Sequence, residues 1–149
     1  MTPELIETIK EDLIKHEGYK DEIYLCSEGI PTFGIGHAVK EYDIEWTWPV
    51  GTPVEKERID NAFQSDLEDA VNDVKALVPS IEDKPFQCQR VLVNMAFNLG
   101  RTRLGKFKKM IEAVEKNNFK EAANQMVDSR WYNQVGGRSV ELENWMRNA

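Results

Sequence analysis

The residues best suited to chemistry lie between positions 16 and 37, in the stretch His-Glu-Gly-Tyr-Lys-Asp-Glu-Ile-Tyr-Leu-Cys-Ser-Glu-Gly-Ile-Pro-Thr-Phe-Gly-Ile-Gly-His. Glu17 stands directly before Gly18 at the end of an amphipathic run. Helices commonly stop on a left-handed glycine, so Glu17 is expected in the last helical turn, among unpaired carbonyls at the negative end of the helix dipole. Ionisation is disfavoured there, which suits the protonated carboxyl that a general acid must offer near neutral pH. Ser27-Glu28-Gly29 then carries turn chemistry, and Pro31 is tolerated at the start of a strand, so a β-hairpin is expected to follow. Alternation along its second strand puts Thr32, Gly34 and Gly36 on one face and Phe33, Ile35 and His37 on the other. The bare glycine face is either a tightly packed hairpin or the floor of a groove beside Glu17. Cys26 and His37 also form a thiol and base pair of the kind a thiol peptidase would use.

The elements that must position these groups begin with Thr2-Pro3-Glu4, which supplies a cap residue, a proline for the first helical position and an acid in the first turn. Leu5, Ile6, Ile9, Leu13 and Ile14 recur at helical spacing, predicting a helix over 3–17 with Glu17 at its far end. Residues 18–51 form the hairpin region. Within it, 38–51 lack a clear period, and Trp46 and Trp48 read as local packing against the hairpin or, alternatively, as aromatic faces for sugar rings. Thr52-Pro53-Val54-Glu55 matches a capping box and opens a helix predicted over 53–78, about 38 Å long at 1.5 Å per residue. Further helices are expected over 85–99, stopped by Gly100, and over 104–114, 119–127 and 139–146, with Asn117-Asn118 as a turn or cap. Trp131 and Tyr132 read as core anchors.

A chain of 149 residues with 41% hydrophobic content can bury one sizeable core, and it contains no apolar run long enough to span a membrane. The net charge of −7 disfavours nucleic acid as a partner. Charge is uneven: residues 55–73 carry seven acids and two bases, whereas 101–110 carry five bases and no acid, a stretch that is either a solvated helix start or a basic patch facing a partner surface. The N-terminus lacks the apolar region of a signal peptide, so a cytosolic origin and unpaired cysteines are expected. Cys88, at helical spacing with Val91, Leu92 and Met95, reads as a small core residue. No His/Cys cluster has zinc-ligand spacing, and neither metal nor cofactor is expected.

Glu17, Cys26 and Thr32, set within Glu-Gly-Tyr through Gly-Ile-Pro-Thr-Phe-Gly-Ile-Gly-His, resemble the catalytic signature of phage-type lysozymes, the T-even phage endolysin family. The resemblance extends through Asn94-Met-Ala-Phe-Asn-Leu-Gly100, Ser129-Arg-Trp-Tyr-Asn-Gln134 and Arg138. It implies an α+β, mostly helical, two-lobed single domain over 1–149. A small hairpin or sheet lobe at 18–51 would be joined by the 53–78 helix to a helical lobe of 79–149 plus 3–17, with a cleft between them. It further implies hydrolysis of the β-1,4 bond between N-acetylmuramic acid and N-acetylglucosamine in peptidoglycan, with an inverting outcome.

In that scheme Glu17 is the general acid; Cys26 occupies a position that holds Asp in some members and Cys in others, and it either polarises the water as thiolate or attacks as a nucleophile, while Thr32 helps to hold the water. A thiol with a reference pKa of about 8.5 is a poorer base than a carboxylate unless its surroundings lower that value. Arg138 would pair with the catalytic glutamate as a supporting residue. Phe97, Asn98, Gly36 and His37 would contact substrate, although His37 reads first as a structural hydrogen-bonding residue. The family setting implies a monomer made in the host cytoplasm, with no membrane insertion, released onto the wall by a separate holin-type protein. The competing readings are a Cys26/His37 peptidoglycan peptidase, a lytic transglycosylase using Glu17 alone, and a non-catalytic wall binder.

Overall fold

In α1 (Pro3–Glu17) the Thr2 hydroxyl accepts from the Leu5 amide at 3.2 Å, so the predicted cap forms. Gly18, at φ 80°, ends the helix and donates its amide to the Ile14 carbonyl at 2.9 Å. Leu5, Ile9 and Leu13 are buried, while Ile14 is exposed. The inward stripe is therefore narrower than the apolar pattern, because a helix rotates about 100° per residue and position 14 falls off the face shared by 5, 9 and 13. These features come from a computed structural model that describes residues 1–149.

β1 (Lys20–Leu25), β2 (Pro31–Gly34) and β3 (His37–Ala38) form an antiparallel sheet in the order β1-β2-β3. Tyr24 lies opposite Thr32 and Leu25 opposite Pro31, with an irregularity between Lys20 and Tyr24. Cys26 and Ile30 close the first turn, in which Gly29 has φ 76°. The second strand is shorter than alternation predicts. Gly34 and Gly36 take φ values of 63° and 65°, so Ile35-Gly36 turns the chain instead of extending it, and β3 then pairs back on β2. Thr32, Gly34 and Gly36 consequently share no continuous strand face. One apolar cluster packs beneath this sheet, built from Ile23, Phe33, Val39, Val54, Ile59 and Ala62 with Trp48 against it.

α2 (Lys56–Leu77) starts three residues later than the capping-box pattern predicts. The Thr52 hydroxyl donates to the Pro49 carbonyl, and the backbone of 52–54 serves β1 instead: Ile23 donates to Thr52 at 2.9 Å and Val54 donates to Asp21 at 2.8 Å. Local capping chemistry is overruled here by pairing with a strand edge. After α2, α3 (Phe86–Gly105) is interrupted at Gly100, whose φ of 79° and ψ of 168° are non-helical. Residues 101–105 add one further turn. The next helix, α4 (Lys108–Glu115), therefore begins later than the apolar pattern from Leu104 predicts, with Phe107 donating to the Leu104 carbonyl across the join. α5 (Phe119–Val127) is capped by the Asn118 side chain. α6 (Arg130–Val135), which the periodicity did not reveal, starts at a Ser129 cap, and α7 (Gly137–Arg147) closes the chain.

The backbone divides into two compact units, one of Lys10–Glu68 and one of Met1–Ile9 with Asp69–Ala149. In the second, Val91, Leu92, Met95, Met110, Met126 and Leu142 are fully or almost fully buried, and Met1 pairs its ammonium with Glu82 at 2.8 Å. No helix is long and apolar enough to cross a membrane.

Candidate active site

Glu17 is the last residue of α1, as its place before Gly18 predicts. Its side chain lies against the turn that joins β2 to β3. A β-carbon built on Gly36 would stand 2.9 Å from the Glu17 carboxyl carbon and 3.0 Å from its Cβ, closer than side chains tolerate. Only glycine lets the backbone pass there, and its φ of 65° is itself a conformation that other residues resist. Gly36, expected to contact substrate, is thus in direct contact with the candidate acid.

Cys26 sits at the head of the β1–β2 turn, partly exposed, with a free thiol. The Ile30 amide is the main influence lowering its pKa, opposed by partial burial; the Glu28 amide and the Thr32 hydroxyl lower it further, and the Glu28 charge opposes them. Hydrogen bonds to the thiolate outweigh the effects that disfavour it. Thr32 is buried, and its hydroxyl donates to the Ile30 carbonyl at 2.8 Å. That hydroxyl has one proton, which can turn from the carbonyl towards a thiolate at Cys26. By contrast Cys88 is buried on α3, and burial pushes its thiol up to about 12 against the opposing charge of Lys84.

Tyr24 is a residue that motif reading missed. It faces Thr32 across the ladder, and its phenol is raised first by burial, then by the charges of Glu17 and Cys26. The acid and the thiol therefore both act on one phenol. The signal was available: Tyr24 and Cys26 are two residues apart on an extended segment and so share a side of it.

His37 is buried, with Nδ1 at 2.7 Å from Asp66 and Nε2 at 2.8 Å from Asp43. Burial alone would lower its pKa, but the hydrogen bonds and charges of Asp66 and Asp43 prevail and raise it. With both ring nitrogens held by carboxylates, the imidazole has no nitrogen left for a thiol or a substrate, and the geometry favours its structural reading. Asp43 also meets Arg58 at 3.2 Å, and Arg58 grips Glu45 with Nε and Nη2 at 2.9 to 3.2 Å. None of these four partners was singled out from sequence, because an acid reads as solvated until its cation is known.

The remaining candidates belong to the other unit. The Arg138 guanidinium donates from Nε to the buried Asn94 side chain at 2.9 Å, and Asn98 accepts from the Trp131 indole at 2.8 Å. Trp131 is buried, as expected of a core anchor, and Tyr132 is half-buried. Phe97 and Asn98 lie side by side on α3, partly exposed. In the basic stretch, Arg101 is taken by Asp73 at 2.9 Å, whereas Arg103, Lys106, Lys108 and Lys109 line an open cavity of about 710 Å³ with Leu99 and Trp131. No group of three or more His, Cys, Asp or Glu side chains is arranged to hold a metal ion.

Comparison with known proteins gives this geometry a family. Probable T4-type lysozyme 2 of Dictyostelium discoideum is 29% identical over 154 residues, covering 91% of both chains. Probable T4-type lysozyme 1 of the same organism is 27% identical over 154 residues with the same coverage. The pre-baseplate central spike protein Gp5 of Enterobacteria phage T4 is 27% identical over 153 residues, and the chain spans 91% of its own length but only 27% of that protein's. The model of the phage lysozyme family matches residues 14–147, so the chain belongs to that family of glycoside hydrolases, lysozymes whose substrate is peptidoglycan.

Proposed function

We propose that this lysozyme cleaves the β-1,4 bond between N-acetylmuramic acid and N-acetylglucosamine with Glu17 as general acid. Cys26 and Thr32 handle the attacking water. Glu17 protonates the leaving oxygen as positive charge builds on the sugar ring; Thr32 orients the water, and the thiolate of Cys26 draws off its proton on the other side of the ring, inverting the anomeric centre. The observation that carries this reading is the close approach of Gly36 to the Glu17 carboxyl, which fixes the acid in the same sheet unit as a thiol held below its usual pKa. Tyr24, under the charge of both, is a positioning residue for the pair.

Phe97 and Asn98 are substrate-binding groups and Arg138 is a supporting cation; residues 1–149 work as one lysozyme module. The protein acts as a monomer, made in a host cytoplasm and reaching the wall once a separate holin-type protein has permeabilised the membrane, and its role is host lysis. The peptidase alternative is disfavoured by the double engagement of His37.

Digestion of purified wall tests the reaction: new reducing sugar ends are expected, whereas free amines would support the peptidase and anhydro sugar ends a transglycosylase. Glu17→Gln keeps the shape of the acid without its proton. It should melt like the parent and lose hydrolysis by about 10²- to 10⁴-fold, and survival of more than about a tenth of the rate removes Glu17 from the acid role.

A further inference from the structure

β3 is only two residues long, yet the candidate site leans on it from both sides. Ala38 pairs with Thr32, and Gly36, directly before His37, is the residue pressed against the Glu17 carboxyl. Strands ordinarily run to about three residues or more, and two rungs of ladder are a weak hold. What fastens β3 is the His37 side chain. Its ring packs on Phe33 with centroids 4.8 Å apart, and its nitrogens reach carboxylates from two different parts of the chain. Nδ1 meets Asp66 on α2, and Nε2 meets Asp43, just ahead of the 3-10 turn at Ile44–Thr47. Glu17, Thr32 and all of these residues belong to the unit of Lys10–Glu68. The double contact fixes the charge of the ring. A neutral imidazole has one N–H and one bare lone pair, and an ionised carboxylate only accepts, so contacts of 2.7 and 2.8 Å at the two nitrogens require a proton on each. Neither acid is placed to supply that proton at neutral pH. Against the opposing effect of burial, the Lys40 amide, His37 and Arg58 keep Asp43 below the ordinary carboxylate range, and the Asp66 side chain is 28% exposed to water.

We propose that His37 is a positioning residue for the hydrolysis: as an imidazolium strung between Asp66 and Asp43 it fastens β3, and loss of its proton frees the Gly36 turn and Thr32 and so sets the alkaline limit of the rate. Burial works against the charged ring, and the two carboxylates outweigh it, so the proton is kept beyond the ordinary histidine range. Once the proton leaves, one of the two contacts becomes a lone pair facing a carboxylate. The two acids are unequally tied. Asp43 is also held by the Lys40 amide at 2.8 Å and by Arg58 at 3.2 Å, whereas His37 is the one side-chain partner of Asp66. Asp66 therefore turns to water, and α2 lets go of β3. Arg58, lying over Phe33 at 5.4 Å, and Glu45 in its grip complete the charged groups on this side and keep Asp43 in place at either state of the ring. The Gly36 turn, no longer pinned from behind, then holds Glu17 less closely.

The inference rests on the hydrolase reading, and its test compares a titration with a rate. The chain has two histidines, so proton NMR follows both rings, and the resonance missing from His37→Asn identifies His37. Release of reducing ends from soluble wall fragments is measured over the same pH range, at fixed ionic strength and well below the melting temperature. The rate should fall by about tenfold or more across the titration of His37, in kcat more than in KM. Asp66→Asn removes one of the two charges that favour the imidazolium, so the His37 titration and the limb of the rate profile should move to lower pH together. Asp60→Asn, which removes a charge paired with Lys56 at the surface of the same helix, should move neither. The inference is overturned if the rate falls with the His16 titration instead, if Asp66→Asn does not move limb and titration together, or if Asp60→Asn moves them as far. Should the variants not fold, the unaltered protein decides: a rate midpoint that differs from the His37 midpoint overturns the inference. Failure of the hydrolase reading shows separately, as the absence of new reducing ends at every pH.

Discussion

Replacing Gly36 with alanine tests whether the turn holds the acid. The added methyl would press first on Glu17 Oε2 and sit 2.9 Å from the carboxyl carbon, and carbon pairs rest at about 3.5 Å or more, so the carboxyl must retreat by at least about 0.6 Å. A displacement of about 1 Å in a catalytic group can cost about 10²-fold in rate, which places Gly36→Ala at a loss of about 10- to 100-fold in wall lysis. The substitution also forces alanine into φ 65°, costing about 1 to 2 kcal/mol of stability. Gly51→Ala separates the two effects. Gly51 has φ 92°, and its nearest new neighbour is the end of Glu22 at 3.9 Å, so it carries backbone strain without the clash. The assay is turbidity loss of a wall suspension, with thermal melts of both variants. Gly36→Ala should lyse far more slowly than Gly51→Ala at comparable stability. Equal rates would mean that Glu17 does not depend on this contact, and the reasoning that places the acid against the turn would fail.

The thiols should react in a fixed order: a small alkylating reagent reaches Cys26, which is partly exposed with a lowered pKa, long before Cys88, and lysis falls with that modification. Cys26→Asp should keep substantial activity and ignore the reagent, while Cys26→Ser should be much slower; full alkylation with an unchanged rate would deny the thiol a chemical role. Arg58→Met leaves Glu45 buried and unpaired, costing about 3 kcal/mol or about 6 to 12 °C in melting temperature, and Glu45→Met alongside it should restore most of the loss. A melt of Arg58→Met within a degree or two of the parent would count against that pairing. For His37 the folded pKa is raised, so its contribution is complete below the ordinary value of 6.5 and is lost as pH climbs through the folded value. For Asp43 the folded pKa is lowered, so its contribution is present above 3.8 and is lost as pH falls through the folded value. Melting temperature should therefore peak between those limits, and His37→Asn should flatten the alkaline side; an unaltered pH profile would break the assignment.

Local grammar made the helix ends and turns around Glu17 and Cys26 readable. Thr2, Gly18 and Ser27-Glu28-Gly29 act through bonds to residues within a few positions of themselves, so their roles are written in short words. Thr52-Pro53-Val54-Glu55 is an equally clear word, yet β1 claims its backbone, a partner 30 residues upstream that no local pattern announces. The same distance hides the Asp43, Glu45, Arg58 and Asp66 cluster around His37. Gly36 was legible as a bare position but not as a contact with Glu17, because closeness between a helix end and a turn 19 residues later is a property of the folded sheet. Tyr24 was passed over because aromatic residues on strands are ordinarily packing.

The split of the chain into a continuous unit of Lys10–Glu68 and a discontinuous one of Met1–Ile9 with Asp69–Ala149 sets an order of events during synthesis. The first unit has every internal partner within one unbroken stretch and is complete soon after residue 68 leaves the ribosome. The second cannot form until the far end of the chain arrives, so Leu5 and Ile9, both destined for burial, wait in the open while the intervening unit and the rest of their own are made. Joining those first residues to the C-terminus by circular permutation would make the second unit contiguous, shorten its loop closures and spare the nascent chain that delay.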